Sequence, residues 1–304
     1  MPGGEHVDGA FRPKLSHPRR EIGGRVFDFD RQVAIMAIVN RTPDSFFDAG
    51  RTFALDPATI AARQAAEDGA DLVDIGGVPF GTAGAPVSEA EELDRVVPLV
   101  ASVRAVSDVI ISVDTFRTEV ARESIAAGAN VINDTSGLHD PGLADLVAAS
   151  DATLVITHSL ASPPRTPVPR PTYTDVVAEV AAFLRAKVDL ALAHGVPPER
   201  IIIDPGHDLN KNTLHTLELT RRLHEITAIG YPTLAAVSNK DFIGETLDAP
   251  QGQRGDGTLA ALVFCLLQGA RIMRVHDVRA ALAATHMTEA ILGWRHPVYT
   301  KHNV

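Results

Sequence analysis

Short apolar runs alternate along the chain with longer Ala-rich stretches of helical periodicity. The runs are Val33–Val39, Leu72–Ile75, Val109–Val113, Val131–Ile132, Thr153–Thr157, Ile201–Ile203, Thr233–Val237 and Arg271–Val275. Most are apolar throughout rather than every second residue, the pattern of strands buried on both faces. Between them, Pro57–Asp68, Glu89–Ala105, Arg117–Ala127, Gly142–Ala149, Asp175–His194, Thr213–Ile229, Gly257–Gln268 and Val278–Leu292 read as helices. Gly69, Gly128, Gly195, Gly230 and Gly269 stand where helix C-termini favour glycine. Eight strand–helix units predict an α/β fold, a single-domain (β/α)8 TIM barrel over residues 25–295. A doubly wound open sheet is the alternative, because periodicity does not show closure. Residues 1–24, rich in Gly, Pro, His and Arg without a period, read as a flexible lead, and 296–304 as a C-terminal tail.

Composition narrows the class. With 45% hydrophobic and 22% charged residues in 304, the chain is an ordinary globular protein. The single cysteine, Cys265, excludes an intrachain disulfide and a cysteine-based metal cluster. A net charge of −10 argues against a nucleic-acid partner. No apolar run approaches the ~18–20 residues of a membrane span, and the N-terminus lacks an apolar signal core. The expectation is a cytoplasmic protein, free of membranes, that handles small molecules.

A barrel builds its site at the C-terminal ends of its strands. There the sequence places Asn40, Asp74, Asp114, Asn133–Asp134, His158, Asp204, Ser238–Asn239–Lys240, and Arg274 with His276. One such residue is explained by solvent exposure or helix capping; eight in a row are not. Asp114, Asn133 and Asp204 can accept hydrogen bonds from a planar, donor-rich heterocycle. Lys240, Arg274 and His276 suit an anion such as a phosphate. Neither a G-x-x-x-x-G-K-[ST] nor a G-x-G-x-x-G loop accounts for the basic side. A zinc hydrolase is a weaker rival, since His158, His207, His215 and His276 lack close metal-ligand spacing. His207 and His215 read as surface or loop residues.

The segment Asn40-Arg41-Thr42-Pro43-Asp44-Ser45-Phe46 resembles the N-x-T-P-D-S-F loop of dihydropteroate synthases. Asp74-Ile75-Gly76-Gly77, Val113-Asp114-Thr115, Ile132-Asn133-Asp134, Asp204-Pro205-Gly206 and Arg274-Val275-His276-Asp277 match that family's motifs in order and spacing. The resemblance covers residues 25–292. It implies a pterin-binding barrel of folate biosynthesis, in which 6-hydroxymethyl-7,8-dihydropterin pyrophosphate condenses with p-aminobenzoate and pyrophosphate leaves. It also implies a homodimer formed through late barrel helices. Carried over residue by residue, it implies that Asp114, Asn133, Asp204 and Lys240 hold the pterin, and that Asn40 ligates Mg2+ on the pyrophosphate. Arg274 and His276 would bind the pyrophosphate. Asp48 would stabilise the developing pterin-methyl cation, and Phe46 would pack on the aromatic amine. Asp114, Asp48 and Lys240 form the implied catalytic set.

The sequence departs from the family on one side. The family's E-S-T-R-P-G reads Val78-Pro79-Phe80-Gly81-Thr82-Ala83 here, so the family threonine and arginine fall on Phe80 and Gly81. The family's S-R-K-S reads Ser238-Asn239-Lys240-Asp241, and Leu209-Asn210-Lys211 replaces F-G-K. Ser238 and Asp241 belong to the amine side. A second negative charge at Asp241 against a p-aminobenzoate carboxylate would cost on the order of 1–4 kcal/mol. A sulfone or sulfonamide lacking the carboxylate escapes that repulsion. The chain therefore reads as a divergent second paralogue, with its pterin side intact and condensation weak or absent. A fully active synthase and a non-catalytic scaffold dimer are the alternatives.

Overall fold

The computed structural model describes residues 3–7, 9–40, 55–79, 86–166 and 168–303. Four short strands open the chain: β1 (Gly4–Val7), β2 (Ala10–Pro13), β3 (Arg19–Ile22) and β4 (Arg25–Asp28). The barrel strands follow as β5 (Ala34–Asn40), β6 (Leu72–Gly76), β7 (Ile110–Asp114), β8 (Val131–Asp134), β9 (Thr153–Thr157), β10 (Ile201–Asp204), β11 (Leu234–Ala235) and β12 (Ile272–Val275). The helices are α1 (Leu55–Glu67), α2 (Glu89–Arg104), α3 (Thr118–Ala126), α4 (Gly142–Ala148), α5 (Val176–Ala193), α6 (Thr213–Arg221), α7 (Leu223–Thr227), α8 (Asp241–Leu247), α9 (Gly255–Leu267) and α10 (Val278–Ile291).

Strands β5 to β12 form one eight-stranded parallel sheet in the order β10-β9-β8-β7-β6-β5-β12-β11. A bridge between Ile203 and Thr233, with Ile203 N donating to the Pro232 carbonyl at 3.1 Å, brings the two outer strands together. The expected (β/α)8 barrel is the observed fold. Side chains alternate across each strand. Along β5, Ile35, Ala37 and Val39 pack outward into the helical layer, while Ala34 and Met36 join Leu72, Ile110, Val131, Val155, Ile202, Leu234 and Ile272 in a second core inside the barrel. The alternation that points Ile110 inward also points Ser112 and Asp114 inward, and Ile272 aligns with Arg274 and His276. The barrel lumen is thus apolar at one end and polar at the other.

The first 24 residues do not form a flexible lead. β1 pairs with β2 and β3 with β4 as antiparallel hairpins. Leu15, Ile22, Phe27 and Phe29 seal the apolar end of the lumen, the two Phe rings stacked 5.5 Å apart. Buried Arg20 donates to the Ile201 carbonyl at 2.7 Å, tying β3 to the start of β10. No periodicity signalled this, because four-residue strands are too short to display one. The stretch expected as one helix, Thr213–Ile229, divides at Arg222 into α6 and α7, and α8 was not anticipated.

If these hairpins are structural, Ile22→Ala will cost about 2–5 kcal/mol, the usual range for a buried large-to-small change. Urea unfolding measures this, and a change near zero would restore the flexible lead.

Candidate functional site

The polar end of the lumen is built in layers. In the lower one, Asp74 of β6 accepts from Arg274 Nε at 2.6 Å, from Ser112 Oγ at 2.6 Å and from Asn133 Nδ2 at 3.1 Å. Asp74 is completely buried, and this one carboxylate joins β6, β7, β8 and β12. Held through Nε, Arg274 turns Nη2 toward Asp114, whose Oδ2 lies 3.9 Å away. Burial works against the Arg274 charge, yet Asp74 and Asp114 hold it protonated above its ordinary range.

Above lies Asp114 at the end of β7, paired in register with Gly76 and Asn133. Asn133 spends its amide on Asp74; its buried Oδ1 has no hydrogen-bond partner among the described residues. Across the mouth, Asp204 accepts from Gly206 N at 2.7 Å in a tight turn. Gly206 has φ +67°, and a Cβ there would stand 2.4 Å from the His158 carbonyl, so the turn requires glycine. Burial pushes the Asp204 carboxyl up to about 6, against the pull of Lys240, Arg274 and Lys211. Burial likewise lowers Lys240.

Asp114, Asn133, Asp204, Lys240, Arg274 and Asn40 therefore converge as the sequence predicts. Ser238 and His276 join them: Ser238 Oγ lies 2.9 Å from His276 Nδ1 and accepts the His276 backbone N–H at 3.2 Å. Asp241 differs from its expected role as an unopposed charge. Its side chain starts α8, largely exposed, and pairs with Arg254 Nη1 at 2.8 Å. That pairing offsets part of the repulsion expected on the amine side. Phe46, Asp48, Phe80 and Gly81 lie outside the described residues.

Two basic residues were missed by the sequence. Arg165, in the Pro-rich loop after β9, forms a buried ion pair with Asp114 at 2.5 Å, reaches Thr135 Oγ1 at 3.1 Å and bonds the Val78 carbonyl. Its position in a βα-loop was the available signal, since such loops frame the mouth of a barrel. Lys211 is buried, donating to the Gly206 and Leu209 carbonyls and lying 2.9 Å from His158 Nδ1. Burial pushes Lys211 down to about 7 and His158 to about 2, so His158 is the neutral acceptor that holds this lysine. His207, expected at the surface, is fully buried, and neither ring nitrogen has a partner among the described residues.

The described residues contain no cluster of three or more His, Cys, Asp or Glu able to hold a metal. One position nonetheless suits a hard cation. Gly76 leaves a gap between strands: a Cβ there would lie 3.1 Å from Asn40 Oδ1 and 3.7 Å from the Asp114 carboxylate. A carboxamide oxygen beside a carboxylate fits Mg2+ that is held chiefly through a substrate's phosphates.

Acceptors for a flat heterocycle beside cations for phosphate, at the mouth of a parallel barrel, define a pterin-binding barrel protein. The comparisons agree. The family described as pterin binding enzyme matches residues 36–276. A Mycobacterium leprae protein named inactive dihydropteroate synthase 2 is 43% identical over 282 residues, 91% of this chain and 96% of that protein. The structure of Xanthomonas albilineans dihydropteroate synthase with 4-aminobenzoic acid aligns with a TM-score of 0.83 and 38% identity, covering 90% of this chain and 98% of that one. Yersinia pestis dihydropteroate synthase, in a sulfonamide drug complex, aligns with a TM-score of 0.85 and 35% identity over 91% of this chain and all of that one. The chain belongs to the dihydropteroate synthase family. No helix among the described residues is long and apolar enough to cross a membrane.

Asp204 sets a pH dependence. Above about 6 it is a carboxylate, able to accept two N–H donors strongly; below, it is protonated and becomes a weaker acceptor that also carries an O–H. Affinity for a 2-amino-4-oxopteridine should fall as pH drops through about 6, and Asp204→Asn should remove the inflection. Fluorescence titration of the pteridine across that range checks both; an inflection retained in the variant would assign it elsewhere.

Proposed function

We propose that this protein binds 6-hydroxymethyl-7,8-dihydropterin pyrophosphate at the barrel mouth and condenses it with p-aminobenzoate weakly or not at all. The observation that carries the binding half is the orphaned Asn133 Oδ1, a buried acceptor flanked by Asp114. A buried acceptor without a donor costs about 1–3 kcal/mol, and the amino and ring N–H groups of a pterin would satisfy it. Asp204 takes the remaining donors from across the mouth, with Lys240 at its side. Arg274, aimed by Asp74, and His276, oriented by Ser238, would receive the pyrophosphate. Asn40, with the gap at Gly76, would hold Mg2+, which when bound supplies charge neutralisation of the leaving pyrophosphate. The buried carboxylates of Asp114 and Asp204 would stabilise positive charge developing on the pterin.

The weakness of the reaction rests on Arg165. Arg165 Nη2 donates to Asp114 Oδ1, where an N–H of an aminopyrimidine ring could donate instead, so the protein occupies one of its own pterin acceptors. A ligand must break this buried ion pair before it can use Asp114. On the amine side, Asp241 still adds a negative charge, though Arg254 screens part of it. The likeness to a relative named inactive supports the same reading. Sulfonamide-type compounds, which carry no carboxylate, are proposed as ligands on that side. A homodimer is also proposed, and Phe264 of α9 with Met287 and Ile291 of α10, all exposed, support it. Light scattering should give twice the chain mass, reduced to a monomer by Met287→Glu with Ile291→Glu.

Calorimetry with the pterin pyrophosphate and Mg2+ tests the binding half. Micromolar binding is expected, abolished by Asp114→Ala. Arg165→Ala should melt at a lower temperature, because Asp114 loses its close ion pair and keeps only Thr135 and the more distant Arg274, yet bind the pterin about tenfold more tightly, the scale of one charge-assisted hydrogen bond. Weaker binding by that variant would make Arg165 a ligand contact instead of a competitor. Steady-state condensation should remain below that of an active family member, and Asp241→Ser together with Gly81→Arg should raise it.

A further inference from the structure

The loop that carries Arg165 leaves the end of β9 at Ser159 and returns to the start of α5 after Tyr173. One residue of a different loop ties it at both ends. Asn210 Oδ1 accepts the Leu160 N–H at 2.8 Å and the Ser159 hydroxyl at 3.1 Å where the loop departs. Ser159 Oγ in turn accepts the Ala161 N–H at 3.2 Å, so the first turn of the loop closes on the same carboxamide. Where the loop returns, the Tyr173 hydroxyl donates to the Asn210 carbonyl at 2.9 Å. Asn210 is itself a firm post, because it follows Asp204 in the turn after β10, where buried Lys211 holds the Gly206 and Leu209 carbonyls.

Between these ties, Arg165 has φ +62°, in the left-handed region that a long side chain rarely adopts. Such a residue persists only where its surroundings over-determine it. The surroundings here are Asp114 Oδ1 at 2.5 Å, Thr135 Oγ1 at 3.1 Å and the Val78 carbonyl on the far side, and the two ties to Asn210 at the base. Asn210 has φ +52°, which asparagine and glycine tolerate. The glycine of F-G-K, which Asn210 replaces, therefore suits the same turn but supplies no carboxamide. We propose that Asn210 is a positioning residue of the pterin site: by fastening the base of the loop it keeps Arg165 on Asp114 and so lowers affinity for the pterin. This rests on the reading of Arg165 as a competitor for Asp114, and adds the residue that sets how firmly it competes. A ligand meets a bare Asp114 only in the fraction of molecules whose loop has let go, and apparent affinity scales with that fraction.

The full chain and its variants are titrated with a 2-amino-4-oxopteridine, followed by the fluorescence of the pteridine. The probe carries no phosphate, so the pull of the mouth's cations on pyrophosphate does not enter the comparison. Asn210→Gly should bind about two- to tenfold more tightly, the range of one net hydrogen bond. Asn210→Asp keeps the acceptor and the tolerance of positive φ, and should bind as the parent does. In an Arg165→Ala background, Asn210→Gly should change affinity by less than about twofold, because the two residues act as one unit. Unchanged or weaker binding by Asn210→Gly, while Arg165→Ala still tightens, overturns the role of Asn210 and leaves the competitor reading standing. Equal tightening by Asn210→Gly with and without Arg165, or equal tightening by Asn210→Asp and Asn210→Gly, overturns it too. Weaker binding by Arg165→Ala, or no binding by any form, overturns both readings.

Discussion

The ion pair between Asp74 and Arg274 inside the barrel organises the mouth. Two charges in such a place are costly to bury, and removing one partner alone typically costs about 3–5 kcal/mol. Here the remaining acceptor capacity of the carboxylate is filled by Ser112 and Asn133, so little of that cost is left uncompensated. The consequences run upward. Asn133 spends its amide on Asp74 and is left with a bare oxygen; Arg274 spends Nε and is left with a nitrogen near Asp114. The site's acceptors and donors are what remains after the floor beneath them has been satisfied.

That floor can exist because the other end of the lumen is shut. The same two-residue alternation that places Asp74, Ser112 and Arg274 inside places Leu72, Ile110 and Ile272 below them. An open lower end would admit water to the ion pair and raise the effective dielectric around it. The N-terminal hairpins prevent this by stacking Phe27 on Phe29 under the strands. The segment before the barrel is therefore part of the electrostatics of the mouth, although it stands at the far end.

Much of this was legible in the sequence. Strand identity, barrel class and the convergence of Asp114, Asn133, Asp204, Lys240 and Arg274 followed from apolar runs and from the residues ending them, because a parallel barrel directs all its strand ends to one face. What escaped were contacts between residues distant in the chain that follow no period. Arg165 looked like one cation in a Pro-rich loop, and only the path of that loop carries it onto Asp114. Asp241 looked like an unopposed charge until α8 and α9 brought Arg254 against it. His207 looked like a surface histidine, because nothing in Asp204-Pro205-Gly206-His207 records that the turn folds it inward. Position along a strand is periodic and can be read from order; pairing between loops is not.

The two ends of the barrel treat positive charge differently. At the mouth, Arg274 and Arg165 each face a buried carboxylate, so a ligand must share or displace a partner already in place. At the closed end, Arg271 is held by the Phe29 and Ala270 carbonyls, with Asp30 and Glu289 both acting on its charge. A guanidinium that already holds a carboxylate gains little from a second anion, so binding at the mouth exchanges one partner for another. Family membership explains the mouth, since its acceptors and cations suit a pterin and a pyrophosphate.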